Sequence, residues 1–268
     1  MNRCIAGLCA MSIITALVLI HEAHGEVRIR LPGTISSEVL PSIVAIRSEA
    51  SQIFRDKPSA VIVPKRGIVV LQRFKAARAA KAGMGVIVSA DGLIVTNAHT
   101  LSGIDTVSVV MFDGREFPGK VVWRLSDEDC AFISIKTSEK LKPIRFFDPN
   151  AVKGSRRVFA IVAKIAKNEI VMAALPGKIT SVTKNVFWPE KKTAFPELVE
   201  TDIHLYYGAS GGPLITPQGY LIGIVEAGYI FGDRSFAISA NRIKELVQAY
   251  VQMDKIKGVR KPRPISSK

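Results

Sequence analysis

Short apolar runs alternate with glycine-containing turns along most of the chain from Gly85 onward. Two of these turns, Asp91-Gly92 and Asp113-Gly114, carry the Asp-Gly pair that favours a tight hairpin between strands. A charged, proline-containing stretch, residues 136–155, separates this set of runs from a second set that begins at Arg157. The pattern predicts an all-β chain in which two antiparallel β units are joined by a linker.

Three further segments have patterns of their own. Residues 37–48 predict a first strand, and FKAARAAKAG, residues 74–83, predicts a short basic helix that stops at its glycine. Near the C-terminus, apolar residues recur at helical spacing after Asn241, so this residue is expected to cap a final helix. The helix would end the second β unit, which spans residues 146–252. The basic remainder, residues 253–268, lacks periodicity and is expected to be a flexible tail.

The first 25 residues have the layout of a secretory signal. A basic start precedes the uncharged apolar run Cys4–Ile20, and Ala23-His24-Gly25 forms a small-x-small cleavage site. We therefore expect cleavage after Gly25 and a periplasmic or secreted product. The alternative is an uncleaved N-terminal membrane anchor, because the 17-residue apolar run is near the lower limit for spanning a bilayer.

Composition and charge limit the class of protein that this chain can form. The apolar content of 48% excludes a mainly disordered chain and suits a globular protein with a core. Cys4 and Cys9 leave with the signal, so Cys130 has no partner for an internal disulfide and is expected to be a packed side chain. The formal net charge of +14 is concentrated in residues 47–81 and after Met253. Such segments are either solvated surface or a docking site for an anionic surface or polyanion.

One serine has the surroundings of a nucleophile. Ser210 lies in GASGGPL, where glycines let the backbone approach a substrate closely. A serine hydroxyl needs a base and a group that orients the base. His99 ends the strand pattern LIVTNAH, and Asp129 opens the apolar stretch DCAFISI, where a half-buried carboxylate can hold an imidazole in one tautomer. The ordered set predicts a catalytic triad, whereas singly these residues would be a core histidine, a cap and a turn serine.

These motifs resemble the chymotrypsin-like serine proteases, and GMGVIVSADGLIVTNAH is more similar to the HtrA/Deg branch. The resemblance runs from about Leu40 to Tyr250. It implies two antiparallel six-stranded β-barrels, the first in residues 26–145 and the second, with the final helix, in residues 146–252. The basic segment at residues 49–81 occupies the place of a variable HtrA loop, so we expect it to be an insertion in the N-terminal barrel.

The resemblance also implies the chemistry of the site. His99 acts as the base, Asp129 orients it, and the backbone N–H groups of Gly208 and Ser210 form an oxyanion hole for a polypeptide substrate. No cofactor and no metal are implied, and no PDZ-like domain is expected after the final helix. A homo-oligomer is one assembly that the resemblance leaves open.

Two further places are implied in substrate binding. GIVEAG matches the strand that pairs with substrate backbone and includes Glu226, Ala227 and Gly228, while His204 precedes Ser210 by six positions and would floor the specificity pocket. Glu226 departs from the family pattern, in which a small polar residue supports the catalytic aspartate. It either points inward, where two carboxylates would share a proton, or lies on the rim. His204 either selects acidic side chains or is packed and neutral.

Two functions are consistent with these residues. The ordered triad favours an exported trypsin-like serine endopeptidase. Glu226 and the basic charge favour the alternative, a catalytically weak protease-fold protein that binds an anionic partner or surface. A fluorophosphonate probe separates the two, because it labels only an activated serine.

Overall fold

A computed structural model describes residues 39–47, 53–55, 61–63, 68–76, 82–152, 156–166, 169–188, 193–205, 208–228 and 234–259. The predicted signal, residues 1–25, lies outside them. The described residues form fifteen strands and one α-helix: β1 (Ile43–Arg47), β2 (Ile53–Arg55), β3 (Val61–Val63), β4 (Ile68–Ala76), β5 (Ala82–Ile87), β6 (Leu93–Thr96), β7 (Thr106–Met111), β8 (Glu116–Leu125), β9 (Cys130–Ile135), β10 (Arg157–Ala166), β11 (Glu169–Trp188), β12 (Thr193–Thr201), β13 (Pro213–Ile215), β14 (Leu221–Gly228), β15 (Ser235–Ser239) and α1 (Ala240–Val259).

The first barrel closes from six antiparallel strands in the order β1-β5-β6-β9-β8-β7. Both predicted Asp-Gly hairpins are present, and their glycines, Gly92 and Gly114, have φ angles of +99° and +83°, which glycine adopts readily. Alternate side chains of the strands fill the barrel with branched apolar groups, which include Val44, Ile46, Ile87, Ile94, Val109 and Ile133.

The second barrel contains six antiparallel strands in the order β10-β13-β14-β15-β12-β11, and the β10–β11 pairing closes it. Its buried apolar interior is separate from that of the first barrel and includes Val158, Leu175, Val199, Leu214, Ile222 and Val225. The predicted fold class, two six-stranded antiparallel barrels with a C-terminal helix, is therefore confirmed.

The basic insertion joins the second barrel and not the first. Its longest strand, β4, pairs with β11, with Val69 opposite Ala174, and β2 and β3 both pair with β4. These pairings extend the second sheet to nine strands. The prediction of a helix at residues 74–83 is wrong, because β4 continues to Ala76 and β5 begins at Ala82. Backbone pairing with β11 overrides the weak helix preference of an alanine-rich segment.

The C-terminal helix differs from its prediction at both ends. Ser239 caps it by accepting the N–H of Asn241 at 3.1 Å, so Asn241 lies inside the first turn. The Asn241 side chain donates instead to Asp148 Oδ1 at 2.7 Å. The helix continues to Val259 and includes the start of the predicted tail, while residues 260–268 lie outside the described part. Among the described residues, no helix is both long and apolar enough to span a bilayer.

The two barrels and the helix share one apolar cluster. The ring of Tyr250 on α1 lies 5.3 Å from the ring of Phe132 on β9, which in turn stacks on Trp123 at 4.9 Å. The cluster takes buried side chains from both barrels and from α1, among them Val86, Val95, Ile161, Phe195, Ile238 and Ile243. This shared core fixes the loops that meet where the barrels face each other.

Candidate active site

The pairing of β6 with β9 brings His99 and Asp129 together. Thr96 lies opposite Ala131, so the residues that follow β6 meet the residue that precedes β9. His99 Nδ1 lies 2.5 Å from Asp129 Oδ2, and the backbone N–H of His99 donates to Asp129 Oδ1 at 2.8 Å. An ionised carboxylate only accepts hydrogen bonds, so Nδ1 carries the proton and Nε2 is left as an acceptor. The His99 side chain is 45% exposed, which leaves the ring open to a ligand.

Asp129 itself sits in an unusual backbone conformation. It follows the 3₁₀ turn Ser126–Glu128 and has φ +49° and ψ 40°, a left-handed conformation that costs a non-glycine residue about 1 kcal/mol. Its N–H donates to the Ser126 carbonyl at 3.2 Å, and its own carbonyl accepts the Ala98 N–H at 3.1 Å and Asn97 Nδ2 at 3.2 Å. These bonds therefore fix the backbone from which the Asp129 carboxylate projects.

The Ser210 turn belongs to the second barrel but docks on the first. The Met84 N–H donates to the Ser210 carbonyl at 3.0 Å, and the Gly211 N–H donates to the Val225 carbonyl at 3.0 Å. Gly211 has φ +79°, and a Cβ there would lie 2.0 Å from the Met84 oxygen and 2.5 Å from Thr96 Oγ1. β6 ends at Thr96, three residues before His99, so the Ser210 turn lies beside the end of the strand that leads to the His99–Asp129 pair.

Gly208 has the backbone conformation that favours glycine, with φ +95°. Its carbonyl accepts the Ala163 N–H at 3.3 Å, which fixes the orientation of the peptide that follows it. Residues 206–207 lie outside the described part of the chain. Donation by the Gly208 and Ser210 N–H groups to an oxyanion stays a prediction.

Glu226 points inward, so its placement on the rim is wrong. The residue is 1% exposed, and one of its carboxylate oxygens lies within 4.8 Å of ligand atoms of both His99 and Asp129. A β-bulge causes this placement: Val225 lies opposite Ala237 and Ala227 opposite Phe236, so Glu226 is the extra residue. Bulges turn a side chain away from the regular alternation of a strand. Gly228, the last residue of the strand, lies opposite Ser235.

Within the described part of the chain, His99, Asp129 and Glu226 form a group whose ligand atoms are close enough to surround a metal ion. An imidazole and two carboxylates form a suitable ligand set for zinc. Two ligand atoms on a tetrahedral zinc ion are about 3.3 Å apart, whereas Nδ1 and Oδ2 are 2.5 Å apart. The His99–Asp129 pair is therefore arranged to share a proton, and a metal ion would have to separate it.

His204 is exposed, so its interpretation as a packed core side chain is wrong. The neighbouring backbone is well anchored: the Ile203 N–H donates to Thr201 Oγ1 at 3.3 Å, and Asp202 Oδ1 accepts the Lys178 N–H at 2.6 Å. The side chain of His204 therefore projects from a fixed backbone. Its role in specificity stays a prediction.

Cys130 follows Asp129 but is buried, with 1% exposure. Burial, together with the nearby charges of Asp129 and Glu128, raises the pKa of its thiol to about 12. The thiol is therefore protonated near neutral pH, and protonated thiols are poor nucleophiles. Cys130 is a packing residue, as its sequence context predicts.

Comparisons with known proteins identify the family of the chain. A family model described as trypsin-like peptidase domain matches residues 83–224. The chain is 30% identical over 181 residues to the periplasmic serine endoprotease DegP of Escherichia coli K12, which covers 65% of this chain and 37% of that protein. It is 29% identical over 188 residues to serine protease HTRA1A of Danio rerio, which covers 70% of this chain and 38% of that protein.

Among solved structures, the chain resembles the HtrA-type protease AlgW with a tripeptide. The TM-score is 0.62 at 20% identity, and the match covers 82% of this chain and 63% of that one. The structural similarity supports the fold. The matched segment spans less than two fifths of the length of the DegP and HTRA1A relatives.

Proposed function

Because this chain belongs to the trypsin-like peptidase family, we propose that it is an exported serine endopeptidase of the HtrA/Deg type. The observation that carries the proposal is the 2.5 Å contact between His99 Nδ1 and Asp129 Oδ2, beside the Ser210 turn. Export is supported by the signal-like residues 1–25 and by the periplasmic names of relatives such as DegP.

The reaction begins when Ser210 Oγ attacks the carbonyl carbon of a peptide bond. The hydroxyl proton passes to Nε2 of His99, which is free to accept because Nδ1–H is held by Asp129. The negative charge of Asp129 stabilises the imidazolium that forms. Two contacts from one residue to this carboxylate, at 2.5 and 2.8 Å, keep the ring from rotating out of position.

As the Oγ–C bond forms, the electron pair of the carbonyl moves to its oxygen. The backbone N–H groups of Gly208 and Ser210 would donate to this oxyanion, and loss of one such donor costs about 10²–10³ in rate. The left-handed Gly208 and the docked Ser210 carbonyl support a fixed backbone at this position. A side chain at residue 208 would strain that backbone.

The intermediate collapses when the C–N bond breaks and His99 gives its proton to the departing amine. A water molecule then attacks the acyl-enzyme, with His99 again taking one proton and returning one to Ser210 Oγ. The products are an amine, a carboxylic acid that gives its proton to water, and the regenerated hydroxyl. Every proton in these steps moves between the substrate, water, Ser210 and His99.

A fluorophosphonate probe and a casein substrate test the proposal. The wild type should be labelled and should cleave casein, and Ser210→Ala should lose both activities while keeping the wild-type Tm. His99→Ala should reduce labelling by about 10³-fold or more. Undiminished turnover in Ser210→Ala, or no labelling of the wild type, would contradict the assignment. Cell fractionation with N-terminal sequencing of the product tests export and cleavage after Gly25.

The second candidate is a catalytically weak protein with a protease fold that binds an anionic partner. The buried Glu226 favours it, because a second carboxylate within 4.8 Å of the His99–Asp129 pair disturbs the charge balance that the mechanism needs. The net charge of +14 supplies the attraction for an anionic partner. This candidate predicts weak fluorophosphonate labelling together with salt-sensitive binding to anionic vesicles.

A further inference from the structure

The C-terminal helix reaches across to the turn that carries Asp129. Arg242, in the first turn of α1, donates from Nε to Glu128 Oε2 and from Nη2 to Glu128 Oε1, each at 2.6 Å. The two side chains are only 24% and 14% exposed. Two parallel N–H···O bonds between a guanidinium and a carboxylate fix both the distance and the angle between the groups.

Helix stability does not explain an arginine at this position. The first turn of a helix carries partial positive charge, so a cation there is unfavourable and a carboxylate is favourable. Arg242 gains its stabilisation from Glu128, which also raises the pKa of its guanidinium, and from a 2.6 Å bond to Glu245 in the next turn. The contact with Glu128 is therefore a tertiary contact between α1 and the first barrel.

Glu128 is the residue immediately before Asp129. It ends the 3₁₀ turn from Ser126, and Asp129 then adopts its left-handed conformation. A single peptide bond thus separates the carboxylate held by Arg242 from the residue whose side chain orients His99. Any movement of Glu128 changes the backbone direction at Asp129, and a misplacement of about 1 Å in an active site costs roughly 10²-fold in rate.

We propose that Arg242 is a positioning residue for peptide hydrolysis: through Glu128 it holds the turn of Asp129 against the C-terminal helix. The proposal rests on the proposed protease function. It makes the orientation of the His99–Asp129 pair, built by the first barrel, depend on a helix that follows the second barrel. Neither residue touches the substrate or the reacting atoms in this role.

Steady-state kinetics of three variants test the role. Arg242→Gln keeps part of the stem and removes both bonds to Glu128, Arg242→Lys keeps only the charge, and Glu245→Gln removes the other partner of Arg242 on an exposed surface. Arg242→Gln should lower kcat about tenfold with little change in KM. The kcat of Arg242→Lys should lie between those of Arg242→Gln and the wild type, and the kcat of Glu245→Gln should stay within about twofold of the wild-type value.

A double-mutant cycle separates positioning from general destabilisation. Glu128→Gln and Arg242→Gln should each lower kcat, and the double variant should be no worse than the poorer single variant, because both remove the same contact. Multiplicative losses in kcat would overturn the proposal, and so would variants that retain the wild-type kcat while their Tm falls.

Hydrogen exchange of the wild type, Arg242→Gln and Glu245→Gln gives an answer that does not depend on activity. Amide exchange in the peptide that covers Ser126–Cys130 should be faster in Arg242→Gln than in the other two proteins, because the Asp129 N–H bond to Ser126 would open more often. Equal exchange in all three proteins would overturn the proposed positioning role of Arg242. Failure of the wild type to bind the fluorophosphonate probe would instead contradict the protease function.

Discussion

The backbone N–H of Met84 donates to the carbonyl of Ser210 at 3.0 Å, and this bond ties a strand of the first barrel to the serine turn of the second. The Met84 carbonyl in turn accepts the hydroxyl of Thr96 at 2.7 Å, on the strand that leads to His99. The position of Ser210 relative to His99 is therefore set by direct contact between the barrels. Gly211, which lies against both Met84 and Thr96, is the residue on which this contact depends most.

Gly211→Ala should disrupt both stability and activity. The new Cβ would lie 2.0 Å from the Met84 oxygen at a φ of +79°, so the serine turn must move away from β5. We expect a loss of roughly 3 kcal/mol, from backbone strain and overpacking together, and a drop in Tm of about 10 °C. Activity should fall by about 10²-fold or more in kcat/KM.

Gly103→Ala is the matched control for this substitution. Gly103 has a similar φ of +73°, but a Cβ at this position would have no heavy atom within 4 Å. The variant should lose only the strain contribution of about 1 kcal/mol and keep its activity. Thermal unfolding and casein hydrolysis measure both effects, and equal losses in the two variants would show that contact with Met84 is not the cause.

The parts of the site that sequence predicts are those with local signals. Asp-Gly pairs specify hairpins because glycine reaches positive φ, and both glycines do so. The TNAH and DCAFISI motifs end and begin two strands, so antiparallel pairing is enough to bring His99 near Asp129. The order of these motifs along the chain predicts the third residue, Ser210, whose turn binds the backbone of the first barrel at Met84.

The parts that sequence does not predict depend on strand register. The bulge at Glu226 is a single extra residue on one strand, and it has no glycine or proline to mark it. The insertion pairs with β11 through backbone groups, so no side-chain pattern in β4 identifies that partner. The bond between Arg242 and Glu128 joins residues 114 positions apart and is also absent from any local pattern.

Cys130 should be unreactive in the folded protein. Burial raises the pKa of its thiol to about 12, against an ordinary value near 9. At pH 8 the thiolate fraction is then roughly 10³-fold smaller than in an unfolded chain. The chain from Glu26 onward, in which Cys130 is the only cysteine, should react with iodoacetamide at pH 8 only after denaturation. Rapid labelling of the native protein would contradict this burial.

The same thiol should make folding stability depend on pH in the alkaline range. A raised pKa in the folded state means that the folded chain holds its proton while the unfolded chain releases it. The contribution to stability is complete below about pH 9 and is lost as pH rises towards 12. Cys130→Ala should therefore lose less of its unfolding free energy than the wild type between pH 8 and pH 10, as urea titrations would show.

The basic C-terminal residues should bind anionic membranes. Truncation after Val259 keeps the described helix and removes Arg260, Lys261, Arg263 and Lys268. Each basic residue near an anionic surface contributes about 1 kcal/mol at most, so binding to phosphatidylglycerol vesicles should weaken by up to about 10³-fold. Binding should also fall with added salt, because exposed charges are screened beyond about 8 Å at physiological ionic strength. Equal binding of the protein to phosphatidylcholine vesicles would show that the basic charge does not drive membrane binding.

Removal of the Glu226 carboxylate should raise activity at neutral pH. Its oxygen lies within 4.8 Å of ligand atoms of His99 and Asp129, and the residue is buried, so two negative charges would face each other in a poorly solvated site. The charge of Glu226 would repel the Asp129 carboxylate and weaken it as the partner of His99. Glu226→Gln keeps the shape and removes the charge, whereas Glu226→Ser places a small polar residue at this position. Both variants should raise kcat/KM at pH 7 on an acidic and on a neutral peptide alike.

If Glu226 instead contacts the substrate, the variants should change the preference between the two peptides. Values of kcat/KM for the wild type and both variants on the two peptides decide between these roles, and identical values for all three proteins would exclude Glu226 from the chemistry of the site.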